Sequence, residues 1–182
     1  MSRTVRLLLV ALLTLAGAAV AVPSASATVP CEVRWGSLAE ATPALSASPV
    51  LAARAGRHLC FDRVVFDLDG PAGGYLVRYV PAVTQDGSGA VLPVPGGARL
   101  QVQLHHPAYD QQGEPTFPGR VGQSAVDVRN FDTLRSVVFG GSFEGYTTFG
   151  VGTRARLPFR VFTLDGPGDH SRIVVDVAHH WS

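Results

Sequence analysis

Lysine is missing from all 182 residues, so every fixed positive charge along the chain is an arginine. With the abundance of Ala, Gly, Val and Arg, this points to a high-GC genome, a matter of codons and not of function. Of the 15 basic residues, Arg3 and Arg6 fall in the opening positions, leaving 13 arginines against 14 Asp and Glu and a net charge of about −1. Nucleic acid or an anionic membrane would favour a basic patch or run, so neither is an expected partner. Cysteine is scarce: Cys31 and Cys60 stand alone, with no Cys-x-x-Cys spacing to mark a redox pair. After Val22 no uncharged run is long enough to span a membrane. No window longer than a turn or two keeps a 3.6-residue period either, and Pro and Gly recur too often for long helices.

What is there begins with MSRTVR, two arginines without an acid, followed by the uncharged run LLLVALLTLAGAAVAV and then PSASA. Ala25 and Ala27 occupy the −3 and −1 positions of an A-x-A cleavage site. Residues 1–27 are therefore expected to be a Sec signal peptide, and the mature chain to be secreted or extracellular, in association with the cell wall. A membrane anchor is the alternative, but the run is short of the ~20 residues that span a bilayer. Cys31 follows Pro30, not a small residue, which argues against a lipoprotein. Two cysteines in an oxidising compartment read as one disulfide, Cys31–Cys60. Closing a loop of ~30 residues is worth roughly 3–4 kcal/mol in the chain-entropy model. Residues 28–58, rich in Ala, Ser and Pro, are expected to form an extended arm tethered by that bond, with at most a helical turn around Leu38 to Ala41. Residues 59–182 are expected to form the folded domain.

Within that domain short strands alternate with turns. Arg63–Leu68 (RVVFDL) places Val64, Phe66 and Leu68 on one face and Arg63 and Asp67 on the other. Tyr75–Val80, Arg99–Leu104, Leu134–Gly140, Thr147–Gly152, Phe159–Leu164 and Ile173–Val177 follow, and Ala90–Val94 is a weak edge candidate because of Pro93. About eight strands without helices make an all-β domain, most simply a sandwich or barrel. Asp67 and Asp176 sit inside strands, where pairing with an arginine is the expected role.

Two nucleotide-like motifs lie side by side. Gly140–Thr147 (GGSFEGYT) fits Gly-x-x-x-x-Gly-Lys-Ser/Thr except that Tyr146 replaces the lysine; Gly150–Ala155 (GVGTRA) fits the dinucleotide fingerprint. A phosphate loop needs both its lysine and a following helix whose N-terminus faces the anion. Here the next residues alternate like a strand, and Pro158 falls where the dinucleotide helix would run. Both motifs are accidents of a glycine-rich hairpin. Gly145 is expected at its turn with positive φ, and Gly150 and Gly152 to leave one strand face flat for a close neighbour or ligand.

RVVFDL at Arg63–Leu68 recurs as RIVVDV at Arg172–Val177, and LDGP occurs at Leu68–Pro71 and Leu164–Pro167. FGGSFEGYTTFGVG, then LPFRVFTLDGP, then SRIVVDV resemble the AMIN domain pattern. With CFDRVVFDLDGP, the spacing most resembles the AMIN-like domains of exported proteins from high-GC Gram-positive bacteria. The resemblance covers about Arg57 to Val177, most specifically its last forty residues. It implies a sandwich of two roughly four-stranded antiparallel sheets, and a module of the kind that targets cell-wall amidases and secretin pores to peptidoglycan. Within these 182 residues no amidase-like segment is expected.

The residues mark no catalyst. His105-His106 and His179-His180 would point to opposite faces of a strand, so each pair offers one ligand to any one site; no metal and no cofactor is expected. Ser142 lacks a nucleophile elbow, and no carboxylate pair is marked for glycoside cleavage. The ligand candidates are the turn residues Phe143, Glu144 and Tyr146, an aromatic platform beside a carboxylate suited to sugar faces. Arg154 and Arg156, two residues apart and expected on one strand face, could fork onto peptide-stem carboxylates. Tyr109 and Asp110 belong to the long loop His105–Gly119, which also holds Phe117. The expected function is a secreted, non-catalytic module binding peptidoglycan or another envelope glycan. A protein-docking envelope module and a secreted hydrolase are the alternatives.

Overall fold

The computed structural model describes residues 31–181; the expected signal peptide lies outside the described residues. Among the described residues nine strands are present: β1 (Glu40–Thr42), β2 (Val50–Arg57), β3 (Phe61–Leu68), β4 (Tyr75–Val80), β5 (Ala98–Leu104), β6 (Leu134–Phe143), β7 (Tyr146–Thr153), β8 (Phe159–Asp165) and β9 (Ser171–Ala178). Among the described residues there is no helix long and apolar enough to cross a membrane. All pairings are antiparallel, in a five-stranded sheet ordered β1-β4-β5-β7-β6 and a four-stranded sheet ordered β2-β3-β9-β8. The protein is an all-β sandwich, as expected, with one strand more than the expected two sheets of four.

The extra strands come from the segment read as an arm. Residues 28–58 supply β1 and β2, one to each sheet, and no helical turn forms at Leu38 to Ala41. Instead Glu40–Thr42 pairs with β4. β2 pairs with β3 over Val50–Arg57. The disulfide is present and joins Cys31 to Cys60, just before β3. Ala90–Val94 is not a strand. Pro93 and Pro95 withhold backbone donors, and the segment lies across the outer face of the five-stranded sheet. There Leu92 and Val94 join Val83 and Val138 in a small second apolar cluster.

The main core is built from alternation. β3 buries Val64, Phe66 and Leu68, β9 buries Ile173, Val175 and Val177, and β7 answers from the other sheet with Phe149 and Val151. Phe149 is fully buried and its ring lies 4.6 Å from Phe66 across the layers, 5.3 Å from Phe117 and 5.4 Å from Phe139.

The β6–β7 hairpin closes through Glu144 and Gly145, since Phe143 pairs directly with Tyr146. Both turn residues have positive φ, 48° and 82°, the pattern of a type I′ turn. Gly150 and Gly152 do leave a flat face, and what approaches it is the 90–97 segment. A Cβ at Gly150 would meet the Val94 side chain, and one at Gly152 would stand 1.8 Å from the Pro95 carbonyl oxygen. That oxygen also accepts a hydrogen bond from Ser136. We expect Gly152→Ala to destabilise the fold by roughly 1–3 kcal/mol, since backbone must move. Urea denaturation would check this; an unchanged midpoint would show that the segment shifts freely.

Candidate functional site

The two ends of the sandwich differ in chemistry. At one end, the end of β3 at Leu68, the hairpin turn meets the 105–119 loop: the Gly145 N–H donates to the Tyr109 hydroxyl at 3.0 Å. Phe143 and Tyr146, directly opposite in register, project from the same face. Phe143 is 49% exposed and its ring covers Gly87. Tyr146 is half-buried and meets His105 edge-on at 5.1 Å. Glu144 is exposed at the tip. Beside them a cleft of about 310 Å³ is lined by Leu45, Ser46, Ala47, Pro107, Tyr109 and Gly145. Five of the candidates, Tyr109, Asp110, Phe143, Glu144 and Tyr146, are thus brought to one end.

Two members of the long loop do structural work. Asp110 Oδ1 accepts from the N–H groups of Gln112 and Glu114, closing the loop on itself. Phe117 turns inward and is buried against Phe139 and Phe149. The loop is pinned as well as long.

Arg154 and Arg156 lie at the other end. β7 separates them from Tyr146 by its whole length, roughly 25 Å at ~3.3 Å per residue. The chain bends after Thr153, so the pair does not share a strand face. Arg154 donates to the His179 carbonyl. Arg156 donates to the Ser37 carbonyl and hydroxyl and lies over the Tyr79 ring. These arginines hold the chain's ends to the domain and cannot share a ligand with the hairpin aromatics.

That far end holds a group the sequence reading missed. Asp62 is fully buried; its Oδ2 accepts from the N–H groups of Thr133 (2.6 Å) and Leu134 (3.0 Å), and its Oδ1 lies 3.1 Å from His179 Nε2. Asp132 approaches the same nitrogen at 3.7 Å, so the three side chains could together offer ligands to a metal ion. Asp132 is also 3.8 Å from Arg57. The residues span 117 positions, and no local spacing signals them.

His106 is fully buried and serves the fold. Its Nδ1 contacts the Ser48 carbonyl at 2.7 Å and its Nε2 accepts from the Gly73 N–H at 2.8 Å. The accepting Nε2 requires the neutral ring. Burial, with a smaller contribution from His105, pushes its pKa below the usual histidine value. Because the folded value is lowered, this stability is complete above the unfolded pKa of ~6.5 and is lost as pH falls toward the folded value. We expect the urea midpoint to drop between pH 7.5 and pH 5.5, and that part of the drop to vanish in His106→Gln. An equal drop in the variant would clear His106.

The outer face of the four-stranded sheet bears the expected strand ion pairs. Arg54 forks onto Asp67 with two 2.6 Å bonds. Asp176, fully buried, takes a fork from Arg63 (2.6 and 2.9 Å) and a further bond from Arg160 (2.9 Å). Hydrogen bonding to these carboxylates raises the pKa of Arg54 and Arg63. Arg160 lies 4.4 Å over the Trp35 ring. Beside the edge strand β6, a groove of about 800 Å³ runs between Pro93, Pro95, Ser124, Phe131 and Val138. On its rim Asp127 is paired with Arg129, whose hydrogen bonds lower the Asp127 carboxyl to about 2.

A family model for the AMIN-like domain matches residues 48–179. The chain belongs to the AMIN-like domain family. The matched span opens just before β2 and takes in β2 to β9, so β2 is part of the AMIN-like domain. No curated protein and no solved structure matches the chain. Membership marks a module related to the cell envelope, and with the Cys31–Cys60 bond it points to an extracellular or envelope location.

Proposed function

We propose that this AMIN-like domain is an exported, non-catalytic module that binds peptidoglycan or another cell-envelope glycan. The observation that carries the reading is the end of the sandwich where Phe143, Tyr146, Tyr109 and Glu144 converge. Aromatic faces stack on the apolar sides of sugar rings, and a carboxylate accepts hydroxyl hydrogen bonds. The type I′ turn and the Tyr109 hydrogen bond hold these groups in place before a ligand arrives, which lowers the ordering cost of binding. A second reading, docking to an envelope protein, rests on the groove beside β6.

The test is sedimentation of residues 28–182 with purified peptidoglycan sacculi across a salt series. Salt-tolerant binding is expected, with Phe143→Ala/Tyr146→Ala weakening it about tenfold or more. Stacking of ~1–2 kcal/mol in total corresponds to that range. Binding that ignores both substitutions moves the site elsewhere. No binding at any salt would leave the protein-docking reading in its place.

A further inference from the structure

On the outer face of the four-stranded sheet, register sets the side chains in rows. One row runs Arg54, Val65, Val174 and Phe162 across β2, β3, β9 and β8; Arg63 and Asp176 pair in the row on one side, and Asp67, Arg172 and Leu164 align in the row on the other. A cleft of about 240 Å³ opens on this grid, lined by Arg54, Arg63, Val65, Leu164, Arg172 and Val174. Its floor is Val65, beside the fully buried Val174, and arginines stand on three sides of it.

The charges there do not cancel. Four arginines (54, 63, 160, 172) stand on this face against two carboxylates, Asp67 and Asp176, a surplus of two positive charges. Both oxygens of Asp67 are taken by Arg54, and both of Asp176 by Arg63, with Arg160 sharing one. Arg172 has no carboxylate. It donates one Nη2 bond to the Asp165 carbonyl, while its buried Nε has no acceptor among the described residues. Those bonds engage Nε and Nη2 of Arg54 and Arg63 and leave the Nη1 of each over. A planar guanidinium with Nη donors left over is suited to a carboxylate.

We propose that this cleft binds a carboxylate carried on a small alkyl group, of the kind that ends a short peptide finishing in alanine. The carboxylate would take the remaining Nη donors of Arg172 and the spare Nη1 donors of Arg54 and Arg63, and the methyl would rest on Val65. The volume, roughly eight waters at ~30 Å³ each, admits a dipeptide end and not a folded chain. The choice of peptide rests on the envelope reading above; the cleft does not. This is the arginine–carboxylate chemistry assigned at first to Arg154 and Arg156, moved to a different face.

The experiment is an NMR titration of residues 28–182 with the dipeptide Ala-Ala, its C-terminal amide and inorganic phosphate, reading the amides of Val65 and Val174 and the Arg172 Nε–H. Saturable shifts with Ala-Ala are expected, at least tenfold weaker with the amide and weaker with phosphate, which cannot use the valine floor. Arg172→Ala should weaken Ala-Ala binding at least tenfold and Arg172→Lys by less, while Arg120→Ala, away from the cleft, leaves it unchanged. No shifts at ~10 mM, equal binding of the amide, or phosphate binding as tight as Ala-Ala would each overturn the assignment. Sacculus binding by a protein that ignores Ala-Ala would remove this cleft and leave the wall reading standing. Ala-Ala binding by a protein that ignores sacculi would do the reverse.

Discussion

Replacing Asp62 with Ala is expected to cost about 2–6 kcal/mol of folding stability. The carboxylate is fully buried and one of its oxygens holds two backbone donors, those of Thr133 and Leu134, at the entry to β6. Each buried donor left without an acceptor costs about 1–3 kcal/mol, and here two are left at once. The His179 ring loses its partner as well, at the point where the chain leaves β9. Against a total stability of about 5–15 kcal/mol for a domain this size, such a loss is a large share. Asp62→Asn keeps an acceptor oxygen for Thr133 and Leu134 and should recover part of it. Urea denaturation followed by Trp35 and Trp181 fluorescence would measure both variants. A loss under ~1 kcal/mol for Asp62→Ala would mean that water replaces the carboxylate, and that this end of the sandwich is looser than its packing shows.

Phe149→Ala should cost about 3–5 kcal/mol, the range for truncating a fully buried aromatic. Phe149 is the ring at which the layers meet: Phe66 comes from the four-stranded sheet, Phe139 from the neighbouring strand, Phe117 from the long loop. Truncation therefore opens a cavity and also removes the anchor of the 105–119 loop. Phe149→Leu should cost less, since it fills part of the volume, and Phe143→Ala, half exposed at the hairpin tip, should change stability by no more than ~0.5 kcal/mol. Thermal and urea unfolding would rank the three. If Phe143→Ala cost as much as Phe149→Ala, the hairpin tip would be a structural plug and not a free ligand platform.

Legibility of the fold followed how far each strand carries its own pattern. β3 from Arg63 onward and β5 alternate and were readable because one face is apolar throughout and the other carries the polar and charged side chains. β2 was not, because Ala52, Ala53, Ala55 and Gly56 carry little strand preference of their own; β3 imposes the conformation by pairing along it. β1 is three residues long, and its Ala-rich sequence favours a helix until the edge of β4 overrides it. Within Ala90–Val94, Leu92 and Val94 are apolar for a real reason, burial, but Pro93 and the following Pro95 make the segment a cover and not a ladder. The pairing of Asp67 and Asp176 with arginines followed from strand position. The bend after Thr153 did not, and so Arg154 and Arg156 were placed on a face they do not share. Asp62, Asp132 and His179 meet only through the fold, beyond the reach of any spacing rule.

The Cys31–Cys60 bond, the His179 N–H bonded to the Cys60 carbonyl and the Trp181 indole bonded to the Arg156 carbonyl gather both flanks of the described chain at one pole. The hairpin tip lies at the opposite pole. A tag or a solid support attached next to Cys31 or Trp181 therefore starts from the pole away from the aromatic tip. Coupling the module to a surface through either side should give the same presentation, while crosslinking through the hairpin should bury the end proposed to bind the glycan.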